Sequence, residues 1–445
     1  MAETTQSRGG AAADILLDRR LGPLDAAAIV VSNVIGGGIF FVPVIVASLV
    51  PHPGWMLSVW LAGGALAFVG AMAYAELAAV RPHAGGEYVY LRDAYGPLAA
   101  FLTGWTSFIA GFSGAIAASA VALADYVTRF VPGATSAKPA IALAAIAALT
   151  LIHVRGLGPG RLVQNLLAGL KVTGIVLLIA FGFSIGQGDT AHFASGAPVA
   201  AVPWLLALVP VMFSYSGWNA AAYVAEEVRN PSLNVPLALG LGTVAVVVLY
   251  AGLNALYLYA MPIDQLSAVP GSRLLDTVAD RLFGPTAGDL LGLFAIVSLA
   301  ASISAMVIAG PRVYFAMARD GMFVRAAARV HPRFHTPATS IVAQGVWSSV
   351  LVLSGTQQDL VDYTGFAVVL FAGITVSALF VLRRRDGASR PFSAFGYPWA
   401  PAIFVIASAL MVIAEARRTG WTTVAGVVLI LAGVPVYYLF RKGKS

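Results

Sequence analysis

The chemistry in this sequence is carried first by backbone. Val31 to Pro43 reads VSNVIGGGIFFVP, with Gly36, Gly37 and Gly38 in the middle of about thirty otherwise apolar residues. Each interior glycine costs a helix ~1 kcal/mol against alanine, so three in a row favour a local opening. Amide groups freed there, at the start of a half-helix Ile39 to Val50, form an anion-binding end suited to a small carboxylate. The same stretch is also compatible with a close helix-packing surface, since small residues are common at membrane helix contacts. A second break weighs against that alternative. In Trp204 to Pro231, Pro210 lacks a backbone donor, and FSYSG at 213–217 is a polar, glycine-ended interruption between two apolar halves.

Side chains able to do chemistry within apolar runs are few. Lys171 stands in RLVQNLLAGLKVTGIVLLIAFG, about nine residues into its run and therefore ~13 Å deep at 1.5 Å per residue. A charge at that depth costs ~3 kcal/mol, and a lysine stem is too short to carry it back to the interface. Arg312 lies close to the end of its run, where snorkelling accounts for it. Glu76 is read as a packing or gating group near the end of a span, and Glu226 and Glu227 as a solvated loop or as partners of neighbouring arginines. His331 and His335 have i,i+4 spacing, but Pro332 and Pro337 argue against a helix presenting both to a metal.

The elements that must position these groups are membrane helices. Of 445 residues, 59% are hydrophobic and only 11% charged, against roughly a quarter charged in soluble domains. Mean hydropathy is +0.84. About twenty apolar residues cross a bilayer, and such runs fall near 22–50, 55–80, 96–126, 138–153, 162–185, 203–225, 236–260, 286–317, 338–354, 360–382, 399–416 and 421–440. With both termini cytoplasmic, the cytoplasmic segments carry roughly three times as many Lys and Arg as the other side, as the positive-inside rule requires. The same distribution explains the net charge of +7 without nucleic acid, and makes Arg383-Arg384-Arg385 a topology anchor. The first twenty residues lack the basic, apolar and small-residue pattern of a secretory signal.

Two interrupted spans five helices apart point to an inverted-repeat transporter with its site at mid-membrane. The expected organisation is a tail at 1–20, a first five-helix repeat at 21–185, a second at 203–382, two additional helices at 399–440 and a tail at 441–445. No phosphate loop indicates ATP-driven pumping, and no convergent acid, base or nucleophile group indicates an enzyme. A channel would want a continuous pore lined by charge or carbonyl rings.

Four stretches resemble the amino acid–polyamine–organocation family of transporters, and within it the L-type amino acid transporter branch and its bacterial relatives. They are IGGGIF at 35–40, AYAELAAVRPHAGGEYVYLRDAYG at 73–96, FSYSGWN with EEVRNP at 213–219 and 226–231, and RVYFAMARDGMF at 312–323 followed by HPRFHTP. The resemblance implies an all-α, leucine-transporter-like fold of about twelve helices, with two inverted five-helix repeats and broken first and sixth helices. It assigns the substrate carboxylate to the backbone of Gly36, Gly37, Gly38 and Ile39. The amine goes to carbonyls near Ile35 and the segment Phe213, Ser214, Ser216 and Gly217. Phe213 matches the aromatic residue that closes over the substrate, and Asn219 a polar neighbour. Ser216 departs from the branch's frequent glycine, which narrows the expected pocket. Lys171 matches a fifth-helix lysine whose ammonium takes the place of sodium between the first, fifth and eighth helices, holding the first helix to the scaffold, with proton relay as a second role.

The function expected is therefore sodium-independent exchange or proton-coupled uptake of amino acids in the cell membrane. Acidic residues are absent from both broken segments, which favours small to medium neutral substrates; a cationic amino acid or polyamine is the alternative. The expected partners are the amino acid, the bilayer and protons. No cofactor or metal is expected. With no cysteine, the disulfide-linked subunit of some animal relatives is excluded.

Overall fold

The computed structural model describes residues 17–442, apart from 132, 195, 271–272, 285–286, 356 and 388–389. Most of the expected tail at 1–20, and the end of the one at 441–445, lie outside the described residues. Among the described residues the chain is helical throughout, with a single isolated bridge between Leu21 and Val228.

Eight helical segments are long and apolar enough to cross a membrane, and four shorter apolar helices bring the candidates to twelve. The helices that build the site are α1 (Pro23–Val34), α2 (Val42–Leu49), α3 (Pro53–Val80), α4 (Glu87–Tyr95), α5 (Pro97–Thr106), α6 (Phe112–Phe130), α7 (Lys138–Val154) and α8 (Leu157–Ser184). They are followed by α9 (Ala201–Ser214), α10 (Ala220–Tyr223), α11 (Pro231–Ala260), α12 (Ile263–Ala268), α13 (Leu274–Phe283) and α14 (Ala287–Arg319). The chain continues through α15 (Ala338–Ser354), α16 (Gln357–Asp386), α17 (Trp399–Thr419), α18 (Trp421–Leu431) and α19 (Gly433–Lys442).

Proline marks the first turn of α1, α3, α5 and α11, where its missing N–H leaves no hydrogen bond unmade. At the start of α1 the carboxylate of Asp25 also accepts from the amide of Gly22 at 2.7 Å. The helix α1 lies at the centre, packed against α8, α11 and α14, and Ala26, Ile29, Val30 and Val34 are buried. By contrast, α8 has two unlike faces. Leu162, Leu166 and Leu170 are exposed, as a lipid-facing stripe must be, whereas Gln164, Ala168, Lys171, Ile175 and Leu178 form the buried stripe. The 3.6-residue period thus points the lysine into the bundle.

The connections sort onto two faces. On one, Arg81 pairs with Asp93 and Asp386, Arg92 with Asp320, Arg319 with Glu226, and Arg161 with Asp25. These pairs tie together the connections after α3, α10, α14 and α16 and, through Arg161, the beginnings of α1 and α8. On the other, Arg129 at the end of α6 pairs with Asp276 of α13 at 2.8 Å, and the segment after α8 bonds the end of α11 through Asp189 N and Tyr259 O at 2.9 Å. This alternation is that of a multi-pass membrane protein.

Candidate functional site

Two helices are broken in mid-bundle, and the breaks touch. α1 ends at Val34, residues Gly38–Phe40 form one tight turn, and α2 begins at Val42. The second half-helix therefore starts three residues later than the sequence suggested, because Pro43 in its first turn fixes where the helix can begin. Among the described residues, no acceptor meets the amides of Gly37, Gly38 and Ile39. Gly36, Gly37 and Gly38 are half-buried, not sealed in packing. A side chain carbon added at Gly36 or Gly37 would meet nothing nearer than 3.9 Å, so open space lies before these two residues.

In the sixth span, α9 ends at Ser214 and α10 begins at Ala220. Gly217 turns the chain with φ +99°, and a Cβ there would stand 3.0 Å from the carbonyl carbon of Asn33. Glycine is required at this position both for the left-handed backbone and for the close approach to α1. Gly38 meets the same break from the other side, its added Cβ falling 2.8 Å from Ser214 Oγ. Phe213, Ser216, Gly217 and Asn219 are half-buried beside these contacts, while Ile35, Ile39 and Ser214 are buried beneath them. Ser32 Oγ, Asn33 Nδ2, Ser214 Oγ and Ser298 Oγ are all buried without a hydrogen-bond partner. Buried polar atoms are normally satisfied, and these four are among the unsatisfied ones spread through the bundle.

Lys171 is completely buried. Its Nζ donates to Ser32 O at 3.2 Å, to Ile35 O, and to Ser302 Oγ at 2.9 Å. The ammonium's three donors are thus matched one for one by groups from α1, the break and α14. Ser302 Oγ also lies 2.9 Å from Ile35 O, so the last carbonyl before the glycines has two donors.

Sequence reasoning missed Tyr250. Its hydroxyl lies 3.0 Å from Val34 O and 3.0 Å from Ser214 O, the final carbonyls of both interrupted helices. Trp60 packs edge-on against it with ring centroids 5.6 Å apart. A tyrosine within an apolar run carries no signal of this role, which exists only once α11 is placed between the breaks.

Below the breaks, Arg312 does not snorkel. It is 2% exposed and forms a two-pronged ion pair with Glu227, Nε to Oε1 at 2.8 Å and Nη2 to Oε2 at 2.9 Å. Of the two loop carboxylates, Glu227 is therefore fully buried, and Glu226 meets Arg319 at 3.0 Å. Glu76, 1% exposed, accepts from Arg383 Nε at 2.7 Å. Arg383 also lies over the ring of Tyr397, so the first residue of the arginine triplet has a structural partner besides any topological role. His331 and His335 do not converge on a metal: the amide of His335 bonds His331 O at 2.9 Å, and the His335 ring faces Asp18. No group of three or more potential ligands is present among the described residues.

Comparison with known proteins agrees with the motifs. The Amino acid permease family matches residues 21–437. The b(0,+)-type amino acid transporter 1 of Homo sapiens is 30% identical over 441 residues, covering 96% of this chain and 89% of that protein. The serine/threonine exchanger SteT of Bacillus subtilis (strain 168) is 30% identical over 434 residues, covering 96% and 98%. The Asc-type amino acid transporter 1 of Mus musculus is 28% identical, covering 96% and 82%. With the family match running from the first helix to the last, and two broken helices meeting at mid-bundle, the chain belongs to the amino acid permease family of membrane transporters.

Proposed function

We propose that the protein is a sodium-independent amino-acid exchanger or proton-coupled permease of the cell membrane, working by alternating access with both termini cytoplasmic. The observation that carries this reading is the run of unbonded amides at Gly37, Gly38 and Ile39 beside the sixth-span break, with open space before Gly36 and Gly37. Those amides suit the substrate carboxylate, with Gly36 completing the curve of the chain. Carbonyls at Phe213, Ser214 and Ser216 suit the amine, whereas Ile35 O already accepts from Lys171 and Ser302, and Gly217 lets that segment approach α1. Phe213 and Asn219, at the two ends of the sixth-span break, supply an aromatic closure and a polar wall.

Lys171 supplies the fixed positive charge that a sodium ion would otherwise bring, joining α1 to α8 and α14. The halves 21–185 and 203–382 act as two inverted repeats, each beginning with a broken helix, and 399–440 adds two helices. The roughly threefold excess of basic residues on one face supports a cytoplasmic assignment for that face. The protein is not read as an enzyme, and no cofactor or covalent subunit enters the mechanism.

The name of the serine/threonine exchanger relative and the absence of a carboxylate in both broken segments favour a small neutral amino acid. A ligand that binds only the folded state raises apparent stability by RT ln(1 + [L]/Kd). Thermal stabilisation of the purified protein by serine, threonine or alanine, and not by lysine, arginine or putrescine, is the expected result. The reverse pattern replaces the neutral substrate with a cationic one.

A further inference from the structure

Glu87 opens α4 and has no ionic partner among the described residues. The segment before it is clamped to the exit of the sixth span. Ala84 N donates to Glu226 Oε2 at 3.0 Å, and Gly85 N to Tyr223 O at 3.1 Å. A Cβ on Gly86 would stand 2.7 Å from the Tyr223 ring, so the clamp depends on glycine there. The clamp brings the Glu87 carboxyl against two hydroxyls. Tyr74 Oη donates to its Oε2 at 2.9 Å, and the Tyr223 hydroxyl lies near the same carboxyl. Asn219 Nδ2 in turn donates to Tyr223 Oη at 3.1 Å. A line of neighbouring polar groups therefore runs from Asn219 in the sixth-span break through Tyr223 to Glu87.

The cations around it are already taken. Arg81 is held by Asp93 and Asp386, Arg92 by Asp93 and Asp320, Arg312 by Glu227, Arg319 by Glu226 and Arg383 by Glu76, while His83 is exposed. The titratable groups facing Glu87 are Tyr74 from α3, Tyr90 from α4 and Tyr223 from α10; α16 contributes the neutral Thr375 beside Tyr74. Tyr90 Oη and Thr375 Oγ1 are fully buried and unpartnered, leaving unused hydroxyls around an uncompensated carboxyl. The Glu87 residue is half-buried, and removal of its carboxyl from water pushes it above the usual carboxylate range, against the opposing pull of the Tyr74 and Tyr223 hydroxyls.

We propose that Glu87 is a proton-binding site at the cytoplasmic end of the substrate pathway, protonated while its loop is clamped to Tyr223 and deprotonated when that clamp opens to water. This rests on the transport reading above. The ionised carboxylate accepts from Tyr74 and repels any acceptor beside it. Binding one proton turns one carboxyl oxygen into a donor, so one tyrosine must accept from it and redirect its own hydrogen. Thr375 Oγ1 offers that hydrogen an acceptor beside Tyr74. The protonated carboxyl can donate to the nearby Tyr223 hydroxyl, which accepts from Asn219 Nδ2 at 3.1 Å, so the protonation state reaches the break.

The test compares the wild-type protein with Glu87→Gln, which imitates the protonated carboxyl. Sodium-free serine counterflow is measured in liposomes with equal pH on both sides, from about pH 5 to about pH 8. The wild-type rate is expected to change by about threefold or more over this range, and Glu87→Gln to stay flat at the wild-type acidic value. Parallel profiles, or a flat wild-type profile, overturn the proposal. So does selective loss of lysine uptake with an unchanged pH profile, which makes Glu87 a cation-recognition group. If neither protein exchanges any amino acid, the transport reading fails, and melting curves against pH decide on Glu87 separately. A raised folded-state pKa gives stability that is present at low pH and lost as pH rises through it. The wild type must then fall below Glu87→Gln on the alkaline side, and coincident curves overturn the site.

Discussion

Replacing Lys171 with methionine keeps a side chain of similar length in the buried stripe of α8 but removes three donors. The loss is unequal among the three acceptors. Ile35 O retains Ser302 Oγ at 2.9 Å, whereas Ser32 O is left without this donor in a buried position. One orphaned buried acceptor costs about 1–3 kcal/mol, which is about 5- to 150-fold in the equilibrium holding the first span against α8 and α14. Substrate binding needs that docked arrangement, so Lys171→Met weakens apparent substrate affinity by this factor, measured by thermal stabilisation or radioligand binding. Ser302→Ala alone has a smaller effect, because the lysine still serves Ile35 O. The double variant strips Ile35 O of both donors and is worse than the sum of the singles. Wild-type affinity and counterflow in Lys171→Met at every pH, or simple additivity in the double variant, refute the reasoning.

Four further perturbations follow from the geometry. Tyr250→Phe leaves Val34 O and Ser214 O without their shared hydroxyl, and is expected to lower substrate affinity by about 5- to 150-fold while the protein still elutes as a single folded species. Gly217→Ala meets left-handed strain of about 1–2 kcal/mol and the Asn33 backbone at 3.0 Å, so counterflow is lost. Gly37→Ala, whose new methyl meets only the Phe41 ring at 4.0 Å, retains its melting temperature and loses substrate binding. Arg312→Met strands the buried Glu227 carboxylate and costs about 3–5 kcal/mol, whereas Arg312→Met with Glu227→Gln recovers most of it; apparent melting temperatures of the two variants separate these outcomes.

What the sequence revealed follows from the kind of signal each residue carries. Glycine and proline are statements about backbone, so both helix breaks could be read from Gly36–Gly38 and Gly217 before any packing was known, although Pro210 lies within α9 and does not end it. Lys171 stood out because a charge deep in an apolar run demands a partner. Even so, the sequence placed the second half-helix at Ile39, although the Pro43 that delays its start was already in view. The partnerships formed by folding were harder to see. Arg312 looked like a residue near a helix end, and only the approach of the sixth-span exit to α14 shows that Glu227 reaches it. Glu87 lay within a recognised motif, but its neighbours Tyr74 and Tyr223 come from two other helices. Tyr250 had no signal, since its role depends on two carbonyls that a continuous helix would have used internally.

The most direct measurement is counterflow in proteoliposomes loaded with unlabelled serine and placed in sodium-free medium containing a trace of labelled serine. The account predicts transient accumulation of label above equilibrium. It also predicts that accumulation is abolished when the internal serine is omitted from an exchanger, or driven by an acidic exterior if the protein is a proton-coupled permease. Folded protein that accumulates no amino acid under either condition, or does so only when sodium is added, contradicts it.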